Sequence, residues 1–159
     1  MPSLQIDIIA VGKLKEKFWE SACREYLKRL SHSAKVTVTE VSDLGVRSNN
    51  AVDLVLRAEA RLLEQRIPSN SYKVVLDSAG TQLSSEDFAD LLVKLQNQGV
   101  SRLSFVIGGS WGLDASIKKD ADLLLSLGPM TFPHNLARVM VLEQLYRCFS
   151  IINNAPYHK

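Results

Sequence analysis

The chain predicts an α/β fold, a mostly parallel sheet with helices on both faces. Three observations carry that expectation. Strand-like and helix-like segments alternate along the whole length, the order that produces parallel strands joined by crossover helices. The chain has 159 residues, 46% apolar and 23% charged, which is the size and composition of one domain with a sizeable core, here taken as residues 1–159. No internal repeat, low-complexity segment or linker interrupts the alternation.

Taken in order, "LQIDIIAV" (Leu4–Val11) reads as a strand bounded by Gly12. Lys15–Leu30 reads as a helix, with Phe18, Ala22, Tyr26 and Leu30 at steps of four. "KVTVTEV" alternates and is rich in β-branched residues, a second strand. After the polar loop "SDLGVRSNN", Val52, Val55, Leu56, Leu62 and Leu63 mark a helix ending near Ile67–Pro68. "YKVVLD" is a third strand. Ser84 followed by Asp87 resembles a capping box and opens a helix with Phe88, Leu91, Leu92 and Leu95 on one face and Gly99 as its stop. "LSFVI" is a fourth strand and "DLLLSL" a fifth, with a short helix from about Asp114 between them. The last helix is expected from about Asn135 to Asn154, with "APYHK" after it.

Composition excludes several classes. The longest apolar runs fall far short of a membrane span. The N-terminus "MPSLQIDIIAVG" has neither a basic n-region nor a small-residue cleavage site. Cys23 and Cys148 form no C-x-x-C motif and read as reduced core or boundary cysteines of a cytoplasmic protein. His32, His134 and His158 have no metal-ligand spacing, so no metal is expected. The net charge of +2 is too small to announce a nucleic-acid binder. From Lys13 to Lys35, however, seven Lys or Arg stand against three acids, a bias that a solvated helix face explains as well as a phosphate-binding patch does.

In parallel sheets, ligands bind beyond the carboxyl ends of the strands. That rule picks out Asp77–Gly80, "GGSWG" (Gly108–Gly112) and "GPMTFPH" (Gly128–His134), which can form one rim. Paired glycines after a strand let a ligand approach the main chain. Yet "VIGGSWG" is neither G-x-G-x-x-G nor the phosphate loop, and "GGS" is not the G-x-S-x-G elbow of hydrolases. Glu143 lies four residues before Arg147, the spacing of a structural helix pair.

Jointly, "VGKLKEKFW", the "LD" ending the third strand, "FVIGGSWG", "SLGPMTFPH", "ARVMVLEQLYR" and the terminal "PYHK" carry a resemblance that spans essentially the whole chain. It resembles the large-subunit (23S) rRNA pseudouridine N3-methyltransferases of the SPOUT superfamily, the RlmH family. The resemblance implies a C-terminal trefoil knot, a homodimer, S-adenosylmethionine as cofactor and the assembled ribosome as substrate. Matched motif to motif, it places Leu76, Gly108, Leu127, Gly128, Pro129, Met130, Thr131 and Phe132 at the cofactor. It makes His134, Glu143, Tyr157 and His158 candidates for the chemistry, and Arg138 and Lys159 candidates for phosphate contact. Two other readings stay open: a SPOUT enzyme acting on another RNA such as tRNA, and a non-catalytic ribosome- or nucleotide-binding module of flavodoxin-like fold.

Overall fold

A computed structural model describes residues 3–45 and 51–158. Its elements are β1 (Leu4–Val11), α1 (Lys17–Leu30), β2 (Ala34–Val41), α2 (Val52–Glu64), β3 (Tyr72–Gln82), α3 (Ser85–Asn97), β4 (Arg102–Ile107), α4 (Ala115–Lys119), β5 (Leu123–Ser126) and α5 (His134–Ile152). The strands form one sheet in the order β2-β1-β4-β3-β5, and every neighbouring pair is parallel. Met1, Pro2, Lys159 and the second half of the 42–50 loop lie outside the described residues.

The two-residue period of a strand decides which helices cover which face. Ile6, Ile8 and Ala10 of β1, Leu103 and Phe105 of β4 and Val74 of β3 pack with Cys23, Phe88, Leu92, Leu142 and Leu145 from α1, α3 and α5. Their neighbours in sequence, Ile9, Val11, Val106 and Val75, turn to the other face and meet Ala60 and Leu63 of α2 and Ile117 of α4. The sheet is therefore covered by three helices on one side and two on the other. α5 packs against both α1 and α3. Interior strand β1 is buried along nearly its whole length, whereas edge strand β2 alternates with exposed positions.

Local chemistry sets the boundaries. Ser84 caps α3 by accepting from the amide of Asp87 at 3.0 Å. Gly99 follows the helix with φ +90°, the left-handed stop that glycine adopts without cost. α2 ends at Glu64, earlier than the apolar pattern suggests, and Pro68 bars it from continuing past Ile67. Its last turn closes with Ile67 N donating to Leu63 O. α5 begins one residue earlier than expected, directly after Pro133, whose fixed φ suits a helix start.

The largest departure from the sequence pattern is in β3. The expected strand stops at Asp77, but the observed one resumes and runs to Gln82. Leu76 and Thr81 both register with Leu125 of β5, so the residues between them bulge out of the ladder. Gly80 makes that possible: a Cβ there would lie 2.6 Å from Leu124 O. Gly80→Ala must push β5 away from β3, and it should cost about 1–3 kcal/mol of stability, as overpacking does. Urea unfolding measures this, and a variant as stable as the parent would show that the two strand ends are not held together.

Candidate active site

The excursion in β3, the loop after β4 and the loop after β5 close around one cavity of about 560 Å³, within the range of about 300–1,000 Å³ typical of small-molecule sites. Leu76, Asp77 and Ser78 form one wall, Ile107–Ser110, Gly112 and Leu113 a second, and Leu125, Leu127, Gly128 and Met130–Asn135 a third. Ala137, one turn into α5, completes it. The structure thus gathers Leu76, Gly108, Leu127, Gly128, Met130, Thr131, Phe132 and His134 in one lining. Pro129, expected at the cofactor, is not in the lining.

Two small groups hold the walls together. Ser126 Oγ accepts from the amide of Gly128 at 3.1 Å and lies within hydrogen-bond reach of Ser78 O and Gly128 O at 3.1 and 3.0 Å. One buried hydroxyl therefore ties the third wall to the first. Gly128 itself has φ +128°, a conformation other residues rarely adopt. Gly108 is needed for a reason that sequence reading misplaces. A Cβ there would meet Gly112 O at 2.6 Å and Leu113 Cγ at 2.9 Å. The turn closes upon itself, with Gly112 N donating to Gly109 O, and that self-contact, rather than a ligand's approach, already requires glycine.

Asp77 faces the cavity and pairs with Lys118 at 3.5 Å. Burial, and then the charge of Arg138, push the His134 imidazole below its ordinary value, while Asp43 and Glu16 pull it the other way. His134 is thereby held toward its neutral form.

Glu143, Tyr157 and His158 gather elsewhere; none of them lines the cavity of their own chain. Glu143 Oε1 accepts from Arg147 Nε and Nη2 at 2.9 and 2.6 Å and from Tyr157 Oη at 3.2 Å. Gln144 Nε2 donates to its other oxygen at 2.7 Å. Arg147 Nη1 stands 3.2 Å from His158 Nδ1, and His158 Nε2 is 2.7 Å from Glu86. The Tyr157 ring packs edge-on against Tyr146 at 4.7 Å, with the Arg147 guanidinium over it. Burial, Tyr26 and Glu143 push its hydroxyl up to about 12. Glu143, Tyr146 and Arg147 of α5, Glu86 of α3 and Tyr26 of α1 thus dock the tail.

Arg138 is not on the surface. It is 2% exposed, with Nη1 2.5 Å from Glu40 and Nη2 donating to Gly12 O at 3.0 Å. In this arrangement the guanidinium serves internal partners and is not presented to a phosphate. Lys159 lies outside the described residues. Among those described, no group of three or more metal-ligating side chains occurs, and no helix is long and apolar enough to cross a membrane. Both cysteines are free and buried, and burial pushes the Cys148 thiol up to about 12.

A family model described as "Predicted SPOUT methyltransferase" matches residues 4–158. The chain belongs to the SPOUT methyltransferase family. Among its relatives, the protein named ribosomal RNA large subunit methyltransferase H of Desulforamulus reducens is 45% identical, over 98% of this chain and 99% of its own length. That of Carboxydothermus hydrogenoformans is 42% identical over 98% of this chain and its own full length. Solved structures agree in fold. A "probable methylase family protein" from Haemophilus influenzae Rd KW20 superposes with a TM-score of 0.61 at 16% identity, over 94% of this chain and 66% of its own. A Legionella pneumophila protein solved with bound S-adenosylmethionine gives 0.51 at 14% identity, over 89% of this chain and 65% of its own.

Within this SPOUT chain, sequence reasoning missed Leu113, Asn135 and Ala137 in the cavity wall, Glu40 and Gly12 as partners of Arg138, and Glu86 as the partner of His158. Ala137 had a usable signal, since it lies one helical turn after His134. The others meet across the sheet or between helices, and no local pattern marks them.

His134 has a measurable consequence. Its folded value is lowered, so below pH 6.5 the unfolded chain binds more protons there than the folded chain. Through this group, stability falls as pH falls. Urea unfolding from pH 7.5 to 5 should show His134→Gln losing less stability on acidification than the parent. Parallel pH profiles would mean that the imidazole is not held neutral.

Proposed function

We propose that this SPOUT methyltransferase transfers a methyl group from S-adenosylmethionine to N3 of a pseudouridine in large-subunit rRNA, acting on the assembled ribosome as a cytoplasmic homodimer. The observation that carries the reading is the single cavity walled by the three loops at the carboxyl ends of β3, β4 and β5, in a chain whose near full-length relatives bear the name of a large-subunit rRNA methyltransferase.

The residues present fit the cofactor. Leu76, Ile107, Leu125 and Leu127 make an apolar slot for a nucleoside, and the glycine-bearing turns offer main-chain donors and acceptors at its edge. Asp77 supplies negative charge toward a cationic ligand, and a neutral His134 avoids repelling one. The first turn of α5 has amides with no side-chain cap, suited to a carboxylate. When bound, S-adenosylmethionine supplies a methyl group already activated by its positive sulfur. The protein's part is then to hold the acceptor in line and to receive the weakly acidic N3 proton.

His134, Glu143, Tyr157 and His158 are the candidates for that proton transfer and for seating the base, and Lys159 for a phosphate contact. Tail and cavity are separate within one chain, and a shared site resolves this: the tail of one protomer serves the partner's cavity. α5 supports pairing. Leu136, Val139, Met140, Ile151 and Ile152 are only half-buried although apolar, which leaves surface for a second copy. The resemblance carries the trefoil knot with it, within one domain of residues 1–159.

Calorimetry with S-adenosylmethionine tests the cofactor: Gly108→Val, which must displace the turn at Gly112 and is first shown by circular dichroism to be folded, is expected to bind at least tenfold more weakly, about 1.4 kcal/mol. No binding by the parent chain would leave a non-catalytic module as the better reading. Deleting Tyr157–Lys159 should abolish methylation of ribosomes while leaving cofactor affinity and dimer mass by light scattering nearly intact. Mixing that variant with Gly108→Val should restore some activity through one intact composite site. Full activity of the truncated chain, or no rescue after confirmed subunit exchange, would refute the shared site.

A further inference from the structure

We infer that Arg138 is a positioning residue: it clamps the first turn of α5, and with it His134 and the α5 side of the cavity, to the carboxyl ends of β1 and β2.

The clamp has three ends. Arg138 sits four residues after His134, on the same side of α5, and beside Ala137 of the cavity wall. Its Nη2 donates to Gly12 O, just past the end of β1. Its Nη1 pairs with Glu40, one residue before the end of β2. Gly12 is in turn fastened to β2, its amide donating to Val41 O at 2.8 Å. One guanidinium thus joins three elements at the end of the sheet where the cavity opens. A planar fork that addresses two acceptors at fixed angles fits this task better than an ammonium does.

Burying this charge is not free, and the arrangement leaves a mark of its cost. Arg138 is 2% exposed, and its Nε has no hydrogen-bond partner among the described residues. A surface arginine serving only solubility or RNA contact has no reason to accept that penalty. A buried arginine that orients a helix start does.

The second effect is electrostatic. Arg138 presents positive charge to His134 from α5, while Asp43 from the segment after β2 and Glu16 before α1 present negative charge. With burial, the Arg138 charge outweighs the two carboxylates and favours the neutral ring. A neutral ring can take a proton, and beside a cationic ligand it adds no repulsion.

The inference rests on the cofactor reading for its binding arm but not for its titration arm. Histidine ring signals followed by NMR against pH, with His134 assigned from His134→Gln, need no ligand. Arg138→Met should move the His134 midpoint upward and weaken S-adenosylmethionine binding at least tenfold. Arg138→Lys keeps the charge but reaches one acceptor only, so it should restore the midpoint and recover part of the affinity. Should Arg138→Met fail to fold, Arg138→Lys and Glu40→Gln carry the test. Both should bind the cofactor at least threefold more weakly than the parent. Folded variants with parental affinity and an unmoved His134 midpoint overturn the clamp. So does a loss confined to ribosome affinity with a shallower salt dependence, which would make Arg138 a phosphate contact. If the parent chain itself binds no S-adenosylmethionine, the cofactor reading fails, and a parental His134 midpoint in folded Arg138→Met still overturns the placement of Arg138 against that ring.

Discussion

β5 joins the sheet against a strand that leaves the ladder and comes back. Because Leu76 and Thr81 share one partner, Leu125, the residues between them have nowhere to go but outward, beyond the carboxyl edge. That excursion supplies Asp77 and Ser78 to the cavity, beside Leu76 at its start. It also brings Ser78 O within reach of Ser126 Oγ, which fixes the turn into the proline-bearing loop. Were β3 regular, Asp77 and Ser78 would leave the first wall and Ser126 would lose Ser78 O as a partner. The cavity is a consequence of one imperfect strand pairing, permitted by the missing side chain of Gly80.

α5 depends on that loop for its starting point and repays it in burial. Val141, Leu142, Leu145, Cys148 and Phe149 fill the three-helix face of the sheet, while the first turn of the same helix contributes His134, Asn135 and Ala137 to the cavity. Core and site are thus two ends of one rigid element, so a shift at either end is felt at the other. Its middle does a third task, since Glu143 and Arg147 receive Tyr157 and His158. A four-residue spacing that stabilises the helix locally also serves as the dock for the chain's end.

What sequence reading recovered, and what it did not, follows from the range of the forces involved. β1 matches its expected bounds, and Ser84, Asp114 and Gly99 sit at helix ends as their chemistry predicts, because capping and strand alternation are local. The three loops of the cavity were legible as a rim because parallel topology places all strand ends together. Illegible were the continuation of β3 after Asp77, the reason for glycine at 108, and the burial of Arg138. Each is a contact between residues distant in the chain or a steric clash within a turn, and neither leaves a periodic trace. Arg138 is instructive, since a helix arginine reads as a surface charge until Glu40 and Gly12 O are seen beside it.

The two cysteines have a consequence of their own. Both lie in the three-helix layer, and burial holds both thiols above their ordinary values. The thiolate is the reactive species toward oxidants and alkylating agents, so the folded chain offers them almost none. Redox changes in the surrounding solution pass it by. Modification must wait until α1 or α5 lifts from the sheet, which turns Cys23 and Cys148 into internal clocks for the opening of this layer.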